Sequence, residues 1–147
     1  MPHIFSDNMV LQRNQKVKIW GWVDKGESVS VKFNGQTKNA KANKDGYWIL
    51  ELDPMQAGGP YTMEVTGKNN KMEYTNIFIG EVWICSGQSN MEWQVKNVQN
   101  ANNEMKTASY SEIRSFNVKQ NISFTPLNDL EGNWEVCSPE TIGDFRQ

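Results

Sequence analysis

The sequence predicts an antiparallel β-sandwich, jelly-roll or Ig-like, over residues 1–79, followed over residues 80–147 by the start of an α/β domain that is cut short. Three observations carry this. Apolar and polar residues alternate with period two in short runs before residue 80. Turn residues separate those runs at fairly regular intervals. Past Gly80 the pattern changes to an apolar strand, a polar turn and a stretch able to form a helix. Fewer than 70 residues cannot supply the repeated strand and helix units of a parallel sheet, so the second unit reads as the beginning of a larger domain.

In the first unit the alternating runs fall at residues 17–23, 29–33, 47–52, 61–65 and 72–79. Asn34-Gly35 between two of them is a two-residue hairpin signal, because both residues tolerate positive φ. Asp24-Lys25-Gly26-Glu27 and Lys44-Asp45-Gly46 mark further turns, and Ala57-Gly58-Gly59-Pro60 is expected to break one strand before Tyr61 begins the next. Val17, Ile19, Val29, Val31, Phe33, Trp48, Leu50, Leu52, Met63 and Val65 are the expected core, while Lys18, Lys32, Glu51 and Glu64 face water.

In the second unit, residues 82–85 are expected to form a buried strand and residues 104–108 a short helix capped by Asn102 or Asn103. Residues 113–118 would then lie parallel to the first strand, completing a βαβ unit. Residues 125–130 read as a surface connection, 132–137 as a strand, 138–141 as a turn, and 142–145 as the lead into another helix.

The chain has 37% hydrophobic and 22% charged residues and a formal net charge of −2. That fits a folded globular protein and gives no basic patch for nucleic acid. No apolar run is long enough to cross a bilayer as a helix, so neither nucleic acid nor membrane is an expected partner. Cys85 and Cys137 are too few for a disulfide scaffold and lack zinc-site spacing; small buried hydrophobes are the favoured reading of both, with a bridge left open. His3 is the one histidine and has no ligand-spaced neighbours, so no metal or cofactor is expected. Trp20, Trp22 and Trp48 suggest sugar stacking, although aromatics in strand patterns more often pack in a core.

Ser86-Gly87-Gln88-Ser89-Asn90-Met91 follows the apolar run 82–85 and places a serine at a strand's end, where open α/β folds put reactive groups. This block resembles the nucleophile block of the SGNH hydrolases in their sialate O-acetylesterase branch. Residues 5–13 (FSDNMVLQR), Trp20-Gly21-Trp22, Gly58-Gly59-Pro60-Tyr61, Gly80-Glu81-Val82-Trp83, Trp134 and Ser138-Pro139-Glu140-Thr141 resemble further blocks of that family in order and spacing. The resemblance implies a flavodoxin-like SGNH hydrolase domain from residue 80, present only in its N-terminal part. It also implies O-acetylated carbohydrate, sialic acid or polysaccharide, as substrate and a secreted or periplasmic location, although residues 1–5 have no signal-peptide character.

A serine hydroxyl needs a general base, usually a histidine oriented by a carboxylate. On the resemblance Ser89 is the nucleophile and its N–H one oxyanion donor, while Gln88 and Asn90 shape the turn or line the pocket, since amides do not titrate. No histidine follows Ser89, so the chain alone is expected to lack the catalytic His and Asp and to be inactive. The competing reading is a non-catalytic carbohydrate-binding or interaction module carrying an esterase remnant. For Ser89 by itself, a helix cap is the plainer role.

Overall fold

The computed structural model describes residues 1–146; Gln147, the last residue of the predicted second unit, lies outside the described residues. Seven strands come first: β1 Val10–Gln12, β2 Val17–Trp22, β3 Ser28–Phe33, β4 Gln36–Lys41, β5 Tyr47–Leu52, β6 Gly58–Thr66 and β7 Lys71–Gly80. They make a five-stranded sheet in the order β1-β7-β6-β3-β4 and a two-stranded ribbon of β2 with β5. The Asn34-Gly35 hairpin joins β3 to β4, with both residues at positive φ (43° and 76°).

Strand alternation sorts the side chains as the sequence implies. In the ribbon, Gly21 and Trp48, Ile19 and Leu50, and Val17 and Leu52 are register partners. Trp48, Ile19, Leu50 and Leu52 are buried with Val29, Val31, Phe33, Met63 and Val65 in one core that both sheets share. Val17 is only half-buried at its edge. Phe5, Met9, Leu11, Ala42, Met55, Ile77 and Ile79 complete the core, and the alternation at residues 17–65 does not point to them.

Two expectations for this unit are corrected. The strands are not antiparallel throughout, since β1 runs parallel to β7, pairing Val10 with Phe78 and Gln12 with Gly80. β1 sits at the sheet edge far from β7 in sequence, so no hairpin dictates its direction. Gly58-Gly59-Pro60 does not break a strand but begins β6, where the pairing with β7 shifts register around Tyr61. A proline is tolerated there because irregular pairing does not require its missing N–H.

The second unit departs further. The expected buried strand at residues 82–85 is an exposed, unpaired stretch, with Trp83 83% and Ile84 91% exposed. The chain makes α1, Ala101–Thr107, and an antiparallel ribbon of β8, Tyr110–Val118, with β9, Gly132–Cys137. No βαβ unit forms among the described residues. The helix N-cap is Asn100, in the left-handed region (φ 65°) with no side-chain cap bond, rather than Asn102 or Asn103. Residues 142–144 form a single 3-10 turn.

The physical reason lies in what anchors β8 and β9. The Arg114 guanidinium donates to the carbonyls of Asn8 and Asn76, to Asn76 Oδ1 and twice to the Ser111 carbonyl, at 2.8–3.3 Å. It also stacks on Phe78, 4.7 Å from the ring centroid. Trp134 Nε1 donates to the Ile4 carbonyl at 2.8 Å and its ring meets Phe116 edge-on. The ribbon is therefore laid on the first unit rather than beside residues 82–85.

The junction between the units is pinned by side chains 68–70 positions apart. Gln12 Oε1 accepts from the Val82 N–H, Gln12 Nε2 donates to Glu81, and Arg13 Nε donates to Glu81. These bonds to Gln12 and then Arg13 hold the Glu81 carboxyl below its ordinary value of 4.5.

Three predictions follow from this geometry. Ile77→Ala, at a fully buried position, should cost about 2–5 kcal/mol in urea unfolding, whereas Ile84→Ser should change stability by less than about 0.5 kcal/mol. Arg114→Ala should cost about 2 kcal/mol and Arg114→Lys nearly as much, because an ammonium cannot serve the same fork of acceptors. Since the folded Glu81 pKa is depressed, its stabilisation is present above the ordinary carboxylate range and is lost as pH falls through the folded value. The excess in Tm of the native chain over Glu81→Gln should accordingly be positive at pH 7 and vanish in acid.

Candidate active site

From Glu81 the backbone leaves the sheet, and residues 81–90 are all exposed. Ser89 opens a 3-10 turn, Ser89–Glu92, with Gln88 as its extended N-cap residue. The Met91 N–H donates to the Gln88 carbonyl at 2.9 Å, and the Trp93 N–H to the Asn90 carbonyl at 3.2 Å. The serine therefore heads a turn whose first N–H groups have no acceptor within the turn itself. Its hydroxyl makes no hydrogen bond among the described residues. The plainer capping role is not adopted, since no side chain caps this turn.

Gly87 lies under a close approach by the Met91 side chain. A Cβ there would lie 2.5 Å from Met91 Cγ, so any larger residue requires the methionine side chain to shift away from the turn. The small residue in Ser86-Gly87-Gln88-Ser89 thus shapes the loop that presents the serine. Gln88 and Asn90 are exposed on either side of Ser89.

The turn is supported from behind. Gln120 Nε2 donates to Glu92, which ties the end of the turn to the chain leaving β8. Val95 N–H donates to the Phe145 carbonyl at 3.0 Å, Gln94 bridges to Arg146, and Lys96 pairs with Asp144 at 2.7 Å. Phe145, Ala108 and Cys137 form a small second core against which Val95 and Ile142 pack.

Gln88, Ser89 and Asn90 lie together at the head of the turn, and among the described residues no histidine or carboxylate is hydrogen-bonded to Ser89. His3 is held elsewhere: its backbone N–H and Nδ1 both lie 2.9 Å from the Asp129 carboxylate. Burial pushes the Asp129 carboxyl up, but the His3 and Leu130 hydrogen bonds prevail and hold it below its ordinary value. Among the described residues no cluster of three or more His, Cys, Asp or Glu is arranged to hold a metal ion. Both cysteines are free thiols, which corrects the reading of Cys85 as buried: it is exposed, whereas Cys137 is buried and its thiol is pushed up by burial.

Of the tryptophans considered for sugar stacking, Trp48 is buried, and Trp20 packs edge-on against Phe5 while its Nε1 donates to the Asn128 carbonyl. Trp22 alone of the three remains substantially exposed, at 42%. Sequence reasoning assigned no role to Gln12, Arg13, Glu81 or Arg114. Polar residues within otherwise apolar strand ends were the available signal.

No protein-family model matches the chain. A sialate O-acetylesterase from Rattus norvegicus is 36% identical to it over 96% of this chain and 28% of the relative's own length. The human sialate O-acetylesterase is 32% identical over 94% of this chain and 29% of its length. The crystal structure of a carbohydrate acetylesterase from Xanthomonas citri superposes with a TM-score of 0.96 at 31% identity, covering 99% of this chain and 34% of that one. The chain thus spans less than a third of the curated relatives it matches. Nearly every residue takes part in these matches, and by sequence and fold together the chain corresponds to the N-terminal portion of the sialate O-acetylesterases.

Proposed function

We propose that this chain is the nucleophile-bearing N-terminal portion of a serine esterase that removes acetyl groups from O-acetylated sugars. The observation that carries the proposal is the placement of Ser89. It heads an exposed 3-10 turn at the end of a segment pinned through Glu81, in a chain that superposes along its length on a carbohydrate acetylesterase. In this reading residues 1–79 are a jelly-roll or Ig-like sandwich. Residues 80–147 are the start of an SGNH domain, whose sheet would take up the exposed apolar stretch 82–85 as a strand. Parallel strands of that composition are buried on both faces when their neighbours are present.

Ser89 Oγ would attack the acetyl carbonyl, its proton passing to a base and the sugar hydroxyl leaving as the acyl-enzyme forms. Water would then release acetate and restore the serine. The Ser89 N–H, at the head of its turn, would donate to the oxyanion, a contribution of about 3 kcal/mol for a donor of this kind. Gln88 and Asn90 would line the pocket. The base would come from residues that this chain does not contain, since His3, its one histidine, makes its hydrogen bonds to Asp129 and none to Ser89 among the described residues. Loss of a general base removes about 10² to 10⁴ in rate, so residues 1–147 alone would turn over little ester. Acetylated sialic acid and acetylated polysaccharide both suit an exposed serine of this kind, and a secreted or periplasmic location would bring it to either.

The test is a chimera in which residues 1–147 replace the matching portion of the Xanthomonas citri enzyme. It should hydrolyse p-nitrophenyl acetate and release acetate from an O-acetylated sugar, and Ser89→Ala should lower kcat by about 10⁴-fold or more. Unchanged turnover in Ser89→Ala, or brisk turnover by residues 1–147 alone, would overturn the assignment.

A further inference from the structure

The outward face of the β2–β5 ribbon presents a second set of groups that the esterase reading leaves unused. Trp22 and Tyr47 are register partners on that face, with ring centroids 6.2 Å apart at 58°. Ile49, two residues along, is 44% exposed. Beside them an open groove of about 610 Å³ runs between β4 and β5, with Tyr47 and Ile49 on one wall and Lys38, Asn39, Lys41 and Asn43 on the other.

The polar wall is rich in donors. Lys38 is neutralised by Asp53 at 2.6 Å, and Glu51 at the groove's end is paired with Lys16 at 3.4 Å. Lys41 has no carboxylate partner among the described residues. Asn43 Oδ1 accepts from the Asp45 and Tyr47 N–H groups, which leaves its NH₂ group as a donor. Asn39 is exposed. One wall is therefore aromatic and aliphatic, and the other offers amide donors around a single uncompensated cation.

We propose that this groove is a binding subsite for an acidic oligosaccharide, separate in sequence from Ser89. The apolar face of one pyranose packs on Tyr47 in the groove while the next unit of the sugar chain reaches Trp22 beside it, hydroxyls accept from Asn39 and Asn43, and a carboxylate meets Lys41. Stacking of this kind uses aromatic surface that is already ordered, so little side-chain freedom is lost on binding. The open, shallow shape suits a hydrated sugar chain better than a compact apolar ligand, which binds where most of its surface is enclosed. The choice of ligand class rests on the reading of the chain as part of a carbohydrate esterase; the position of the subsite rests on the groove itself.

The test is titration of ¹⁵N-labelled residues 1–147 with 3′-sialyllactose and, separately, with lactose, following amide shifts. Sialyllactose should give saturable shifts at residues 38–41 and 47–51 with a Kd of about 1 mM, and lactose should bind several-fold more weakly. Trp22→Ala and Lys41→Glu should each weaken sialyllactose at least about fivefold. Both positions are exposed, so the spectra of the variants should keep their dispersion, and either variant suffices if the other fails to fold. Absence of shifts at residues 38–51 up to about 20 mM sugar, or shifts indifferent to both substitutions, overturns the proposal. Shifts confined to residues 82–93 also overturn it while leaving the Ser89 assignment standing, since that assignment is tested separately by turnover in the chimera.

Discussion

The Arg114 guanidinium holds the two halves of the molecule in one arrangement. A planar cation with five donors cannot be taken from water unless acceptors meet its fork, and here they come from three separate segments: the N-terminal turn at Asn8, β7 at Asn76 and its own strand at Ser111. Burial lowers its pKa, but the carbonyls and the face of Phe78 replace the lost hydration. Because these acceptors are mostly main-chain atoms, the bond set exists only when the N-terminal turn lies against β7. Both the placement of the β8–β9 ribbon and the course of the chain towards Ser89 depend on that contact.

The same turn explains why widely spaced blocks of the sequence act together. Asp7 accepts from the Thr75 N–H and hydroxyl, and Asn76 donates to Asn8 Oδ1. Gln12 and Arg13 then hold Glu81 at the end of β7. Residues 7–13 and 75–82 are two sides of a single seam. The seam sets the direction in which residues 82–88 leave the sheet, and Gly87 with Met91 shapes the loop that follows. The serine is thus presented by a chain of polar contacts that begins more than 70 residues upstream.

What could be read from the residues was local. Period-two alternation placed β2, β3, β5, β6 and β7, and Asn34-Gly35 placed a hairpin, because strand period and turn chemistry are properties of neighbouring residues. Nine of the ten expected core residues are buried because alternation fixes which face they occupy; Val17 lies at the rim, where alternation says nothing about depth. The parallel placement of β1, the antiparallel pairing of β8 with β9 and the exposure of residues 82–85 depend on partners far away in sequence. The apolar run 82–85 has strand composition, but strand composition alone supplies no neighbour. At the candidate site the motif drew attention to Ser89 with Gln88 and Asn90, whereas the close approach over Gly87 and the support from Glu92–Gln120 and from residues 142–146 had no local signature.

The pairing of β1 with β7 has a consequence for how the chain reaches this structure. Its partners are separated by 68 residues, so closing that contact carries the entropy of a long loop and contributes strongly to contact order. During synthesis residues 10–12 emerge early yet have no partner until residue 80 has been made. β1 is therefore made before the other strands of its sheet yet docks only once β7 is complete, so the seam that leads to Ser89 closes after the sheet beneath it has been synthesised.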